Sequence, residues 1–339
     1  MATTHDVEAR GESAPESYHQ SLFPPEPDPP FHDPAEQEAV WGAIWGSVDE
    51  VSQLRSVLMR RPGAELEEIR ADAWDPAAGA LVDPERRWYW TSERPPDLAL
   101  VQEQYDSLFA ALQAEGVEVH FADPIEPRFG KAMYMRDPLL SVPGGVVVGR
   151  MGPRMRRGEE ASVTRAAAAL GVPILRTITG TGLVEGGSFA KLTPNVAAFG
   201  VSIRCNEEGA RQLGEVLQPL GIELLVVPLA GFSIHLDGHF AMVDRDKALV
   251  DAAGLPYWFL ERLRELGIEA IWCHPEERWA VNLLAIRPGK VLMPAECSRT
   301  AELLEQRGIE VVPIRYDEIQ KNGGSIHCST LEIRRDAPS

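Results

Sequence analysis

The chain has 339 residues, 44% of them hydrophobic and 25% charged, a globular composition long enough for one large domain or two smaller ones. Its formal net charge of −18 argues against nucleic acid or an anionic membrane surface as a partner. An acidic body weakly favours a cationic small molecule, although solubility accounts for most of that charge.

The four cysteines, Cys205, Cys273, Cys297 and Cys328, are widely spaced and contain no CxxC pair. That is neither a disulfide framework nor a zinc pattern, so a reducing, cytoplasmic compartment is expected. No basic-then-apolar leader opens the sequence, and no apolar run approaches the roughly 20 residues of a membrane span.

Residues 1–35 are rich in Pro, Glu, His and Ser and bury too little to order themselves, which predicts a flexible or draped arm. Ala39 to Trp45 reads as a short helix that carries Trp41 and Trp45 onto the body. Residues 1–50 are therefore assigned to the arm, and 51–336 to a single domain. Asp75 to Pro96 holds Trp88-Tyr89-Trp90, which reads equally as a lid or as a packed loop.

Beyond the arm the sequence repeats. Five times an amphipathic helix runs into a glycine and then a short β-branched strand, at Gly116, Gly171, Gly221, Gly267 and Gly308. Each glycine fits the left-handed position that ends a helix. A self-similar period of roughly 40–55 residues signals a repeat architecture or a propeller. Strand-like runs such as Gly145–Val148, Val196–Ser202 and Phe240–Val243 precede the helices. The pattern predicts an α/β fold of five ββαβ units around a pseudo-fivefold axis. A doubly wound sheet is the alternative, but its usual glycine-rich phosphate loop is missing.

In such a ring each unit points the same end inward, so residues distant in sequence converge on the axis. Asp137 precedes the second helix, Glu185 opens the third unit, His235 and Asp237 open the fourth, and Cys328 follows the fifth. Asp137 follows Arg136 and an apolar run, Met133 to Met135, read as a short strand; an Arg–Asp ion pair there is the plainer reading. His235, Asp237 and His239 would share one face of a strand, an alternation that also admits a metal site. Cys328 lies in Asn322-Gly323-Gly324-Ser325-Ile326-His327-Cys328-Ser329-Thr330, a setting of paired glycines and polar neighbours unlike the apolar runs around the other cysteines.

These residue types suit one chemistry. A guanidinium carbon is resonance-stabilised and its leaving amine is poor, which calls for a thiolate nucleophile and a positioned histidine to protonate the amine. Carboxylates suit a planar, multi-donor cation.

Met135-Arg136-Asp137, Glu185-Gly186-Gly187, His235-Leu236-Asp237 and the Cys328 segment, taken in order over residues 51–336, resemble the guanidine-modifying enzymes. That superfamily comprises arginine deiminases, dimethylargininases and amidinotransferases. The resemblance implies the pentein fold, a five-bladed propeller, and a metal-free, cofactor-free site acting on a small guanidino substrate. By the same resemblance Cys328 is the nucleophile, His235 the acid–base and Glu185 its orienting acid, while Asp137 and Asp237 grip the guanidinium. Arg156 and Arg204 each lie 19 residues beyond a candidate acid, the offset at which arginine deiminases hold the substrate's α-carboxylate.

Glu-Gly-Gly resembles the hydrolase branch more than the amidinotransferases. Ser188 stands where deiminases usually carry an aspartate, and the helical insertion of those enzymes is absent. The expected function is hydrolysis of an arginine-like guanidino acid to a ureido product such as citrulline. The alternatives are transfer of the amidino group to an amine, and a non-catalytic binding role such as that of a ribosome anti-association factor of the same fold. The sequence admits a homodimer.

Overall fold

The computed structural model describes residues 28–338 apart from 84, 86 and 87, together with Tyr18 and Leu22. The rest of the arm expected from the sequence lies outside the described residues.

All five helix-ending glycines adopt the left-handed conformation, with φ between 71° and 84°. Each turns the chain into a strand that pairs in parallel with the strand preceding its helix, and an antiparallel strand completes a sheet of three. In the second unit the order is Leu139–Val142, Gly145–Val148, the helix Glu159–Ala169 and Ile174–Thr177. The third runs Phe189–Thr193, Val196–Val201, Glu207–Leu217, Glu223–Pro228, and the fourth Phe240–Asp244, Lys247–Val250, Tyr257–Glu265, Glu269–Trp272. The fifth is Leu284–Arg287, Lys290–Pro294, Ser298–Glu305, Glu310–Ile314. The first unit is assembled from both ends of the chain. The C-terminal strand Leu331–Arg335 runs antiparallel to Leu54–Met59, which pairs in parallel with Glu118–Phe121 beyond the helix Leu98–Ala114.

The helices are built as their sequences suggest. Asp97 caps Leu98–Ala114 by accepting from Leu100 N at 3.1 Å. Val101, Tyr105, Leu108 and Leu112 form its buried stripe, at the spacing of one helical face. Burying each such side chain contributes about 1.5–3 kcal/mol. The middle strands are apolar on both faces: Gly145–Val148 is wholly buried, as is nearly all of Val196–Val201.

The structure departs from the sequence reading in four places. The N-terminal helix is Pro34–Trp41 rather than Ala39 to Trp45, because Asp33 caps it, Pro34 opens it and Gly42, at φ 75°, ends it. Trp45 packs partly against the core while Trp41 stays exposed. Residues 46–50 are not arm: Gly46 bridges to Arg334, Ser47 Oγ donates to Glu332 Oε1 at 2.9 Å, and Glu50 is buried beside Lys191. The segment around Trp88–Trp90 is the last strand of a small antiparallel meander with Trp74–Asp75 and Ala80–Asp83, and both tryptophans are buried in the core. Finally, Met133 to Met135 are turns rather than a strand, and Leu236–Gly238 is a 3₁₀ turn.

Candidate active site

Five short segments lead into the first strands of the five units, and each delivers a polar side chain. Asp137 precedes Leu139–Val142 and Glu185 caps the turn Gly186–Ser188 ahead of Phe189–Thr193. His235 and Asp237 precede Phe240–Asp244, and Asn282 precedes Leu284–Arg287. Cys328 lies in the short helix Ile326–Ser329 before Leu331–Arg335. Cys328, His235, Asp137, Arg156 and Arg204 line one cavity of about 100 Å³, walled by Tyr89 and Tyr134.

His235 Nε2 lies 2.7 Å from Glu185 Oε2, while Nδ1 is 3.5 Å from Asp137 Oδ1. The Glu185 contact fixes the ring and leaves Nδ1 as the nitrogen available for chemistry. Gly187 makes the arrangement possible, since a Cβ there would sit 2.7 Å from His235 Nδ1 and 3.1 Å from Asp137 Oδ1. Gly323, at φ 89°, has a similar reason: a Cβ would meet the Tyr89 hydroxyl at 2.0 Å.

Burial would push the His235 pKa down, but Asp137 and the Glu185 hydrogen bond outweigh it and hold it above the usual value. Burial likewise opposes ionisation of Glu185, yet Arg204 and His235 hold it well below the carboxylate range. Burial, reinforced by Asp237 and Asp137, pushes the Cys328 thiol well above its ordinary value. That environment favours the thiol over the thiolate. Burial pushes Cys205 and Cys297 up to about 12 and Cys273 to about 11, consistent with packing rather than reactivity.

The two arginines expected to hold a substrate carboxylate are otherwise engaged. Arg156 is buried and donates to Asp137 Oδ2 at 2.5 Å and to both oxygens of Glu159. Arg204 makes a two-point contact with Glu185, at 3.0 and 2.6 Å. The 19-residue spacing thus sets each arginine against its own acid, and an open two-arginine fork is not what the structure presents. Arg136 and Asp137 do not pair with each other either: Arg136 turns to Glu50 and Glu332.

His239 faces Asp251 and Ser233, each at 2.9 Å, so His235, Asp237 and His239 do not form a ligand set. Asp137, Glu185 and His235 each place one ligand atom within 4.8 Å of the others. Two guanidinium cations already occupy those carboxylates, and a divalent ion would have to displace them.

Several residues in or behind the cavity wall carry no signature in the sequence. Lys131 is buried and spends three donor contacts on Asn322 O, Asn322 Oδ1 and Tyr89 O. Burial, then Arg156 and Arg204, depress its pKa well below the usual value. His327 Nδ1 lies 2.9 Å from Asp237 Oδ2. Asn282 contacts Cys328 directly. One contribution per unit left the fifth unit without a candidate, and that gap was the available signal for Asn282.

The fold and site together define a guanidine-modifying enzyme. The arginine deiminase family model matches residues 125–255 and 265–335, more than half of the chain, and the chain belongs to that family. A dimethylarginine dimethylaminohydrolase of Pseudomonas aeruginosa is 29% identical over 70% of this chain and 90% of its own length. One from Streptomyces coelicolor is 27% identical over 83% and 97%. The relatives are hydrolases of amidine C–N bonds, and the chain is an enzyme of that class. Among solved structures, an amidinotransferase from Microseira wollei superposes with a TM-score of 0.68 at 16% identity, covering 86% of this chain and 98% of that one; this likeness concerns the fold alone. No helix among the described residues is long and apolar enough to cross a membrane.

Proposed function

We propose that the protein hydrolyses an arginine-like guanidino acid to a ureido product through a covalent intermediate on Cys328. The observation that carries this reading is the convergence of Cys328, His235 and Asp137 on one cavity, with Glu185 held against His235 and Asp237 Oδ2 3.7 Å from the Cys328 sulfur. The named relatives act on dimethylarginine, which supports the same substrate class. We further propose that the five units close into a five-bladed ring, zipped by Leu331–Arg335 on Leu54–Met59. Packing of Leu331–Arg335 against Leu139–Val142 and of Leu54–Met59 against Leu284–Arg287 supports that closure.

The cation is drawn between Asp137 and Asp237. Asp137 Oδ1 is buried without a hydrogen-bond partner, an expensive state that a guanidinium N–H relieves. The bound positive charge also offsets the two carboxylates that disfavour the Cys328 thiolate. As the cation binds, the Cys328 thiol loses its proton to solvent, Sγ attacks the guanidinium carbon, a C–S bond forms, and the C=N electron pair withdraws onto nitrogen. Collapse breaks one C–N bond, and the departing amine takes the proton from His235 Nδ1. Neutral His235 next takes a proton from water as its oxygen adds to the thiouronium carbon. That step regenerates the imidazolium; the C–S bond then breaks to expel the Cys328 thiolate, the new hydroxyl gives its proton to solvent, and the ureido carbonyl forms. In this scheme Arg156 holds Asp137, and Arg204 reaches the substrate's carboxylate through Nη1, the nitrogen its contact with Glu185 does not use.

A panel of arginine, N-methylated arginines, agmatine and guanidino acids, followed by mass detection, tests the reading. A ureido product formed without any added amine is expected. Product that forms only when an amine acceptor is supplied identifies a transferase instead.

A further inference from the structure

We infer that Asn282 is a catalytic residue that donates a hydrogen bond to the Cys328 sulfur and stabilises its thiolate. The inference rests on Cys328 being the nucleophile. It deepens that reading by assigning the fifth unit a part in the chemistry.

The geometry fixes the amide's orientation. Asn282 Oδ1 accepts from Cys328 N at 3.2 Å, and only the oxygen of the amide can do so. The Nδ2 end is thereby aimed at Cys328 Sγ, 3.2 Å away, and has its second contact at Asp237 O, 3.4 Å. The backbone adds a third tie, because His327 N donates to Asn282 O at 3.2 Å. Asn282 is 2% exposed, so water does not compete for the sulfur on that side.

The nearest charges around Cys328 oppose a thiolate, and a backbone hydrogen bond at Ser325 is the other contact that favours one. Asp237 Oδ2 lies 3.7 Å from Sγ, and burial, Asp237 and Asp137 all disfavour a negative charge there. His235 supplies positive charge from across the cavity, and His327 is already turned onto Asp237. Asn282 is a neutral side chain that both touches the sulfur and donates to it. A hydrogen bond to a charged atom shifts a pKa by about one to two units.

The test follows alkylation of Cys328 by iodoacetamide against pH, read by peptide mass, in the full-length protein. Asn282→Leu, neutral and similar in size, is expected to raise the alkylation midpoint by about one to two units, slowing the reaction roughly 10- to 100-fold at a fixed pH below it. Turnover should lose a similar factor in kcat with little change in KM. Asn282→Asp keeps an acceptor for Cys328 N but replaces the donor with an anion, and should raise the midpoint further. If either variant misfolds by circular dichroism, the other carries the test. An unmoved midpoint in a folded variant overturns the role of Asn282. Turnover surviving in Cys328→Ser instead overturns the nucleophile, so the two failures are separable.

Discussion

Two buried charge clusters meet at Arg136 and Asp137, neighbours in sequence that face different partners. Arg136 joins Glu50, Lys191, Glu332 and Arg335, where Lys191 Nζ reaches Ser47 Oγ, Ser141 O and Glu332 Oε1. Arg335 donates to Glu332 Oε2, Ser52 O and Ala285 O. No side-chain atom of that cluster is buried without a partner among the described residues. Asp137 joins Arg156, Glu159, Glu185, Arg204 and His235, and there one carboxylate oxygen is left unmatched beside a titratable ring and a thiol. A saturated ionic cluster holds strands of neighbouring sheets together. An unsaturated one keeps free energy in reserve for a ligand.

The contrast can be broken from either side, and the largest effect belongs to the saturated cluster. Lys191→Met strands Glu332 and Glu50 with too little positive charge, which should cost about 3–5 kcal/mol in urea-unfolding stability. The surviving folded fraction should keep its kcat. Glu185→Gln should do the reverse, lowering kcat by roughly 10²- to 10⁴-fold as His235 loses its orientation, with a smaller change in stability. A change confined to KM would remove Glu185 from the chemistry.

Substrate discrimination should be weaker than an open arginine fork would give. With Arg156 spent on Asp137 and Glu159, one contact from Arg204 should favour arginine over agmatine by about 10-fold in kcat/KM. A preference of several hundred-fold would mean that both arginines swing free on binding.

The clusters should also separate by pH. Glu332 is depressed well below its ordinary value: burial opposes this, but Lys191, Arg335 and Arg136 outweigh it. Its stabilisation is therefore present above the unfolded-state value near 4.5 and is lost as pH falls through the folded one. His235 is raised, so its contribution is complete below about 6.5 and is lost as pH rises through its folded value. Thermal melts against pH should show the acid loss flattened in Lys191→Met and the alkaline loss reduced in His235→Gln. The smallest expected effect is that of a chelator: EDTA should leave the rate unchanged, and inhibition reversed by zinc would reassign Asp137, Glu185 and His235 to a metal.

The repeat was legible because glycine is the residue that most readily takes the left-handed turn, and all five helix ends use it. The motifs stand out because each pairs a reactive or charged side chain with a segment that opens a unit, and Cys328, His235 and Asp137 meet at one cavity. What sequence could not supply was partnership. Nothing in the spacing of Arg156 and Arg204 says that their forks close on Glu159, Asp137 and Glu185. Asn282 sits in Ala280-Val281-Asn282-Leu283-Leu284, an apolar run in which a single amide carries no pattern. Lys131 becomes a wall of the cavity only when Asn322 and Tyr89 arrive from distant segments. The N-terminal helix lies earlier than expected for a local reason: Asp33-Pro34 starts it and Gly42 ends it, which leaves Trp41 in its last turn and Trp45 beyond it.

The central claim is a covalent bond between Cys328 and the amidino carbon. Mixing the enzyme with arginine or a methylated arginine, quenching in acid during turnover and measuring the intact mass tests it directly. An added mass of substrate less the departing amine is expected, mapping to the peptide that contains Cys328 and missing from Cys328→Ser, which should not turn over. Sustained turnover by Cys328→Ser would contradict it.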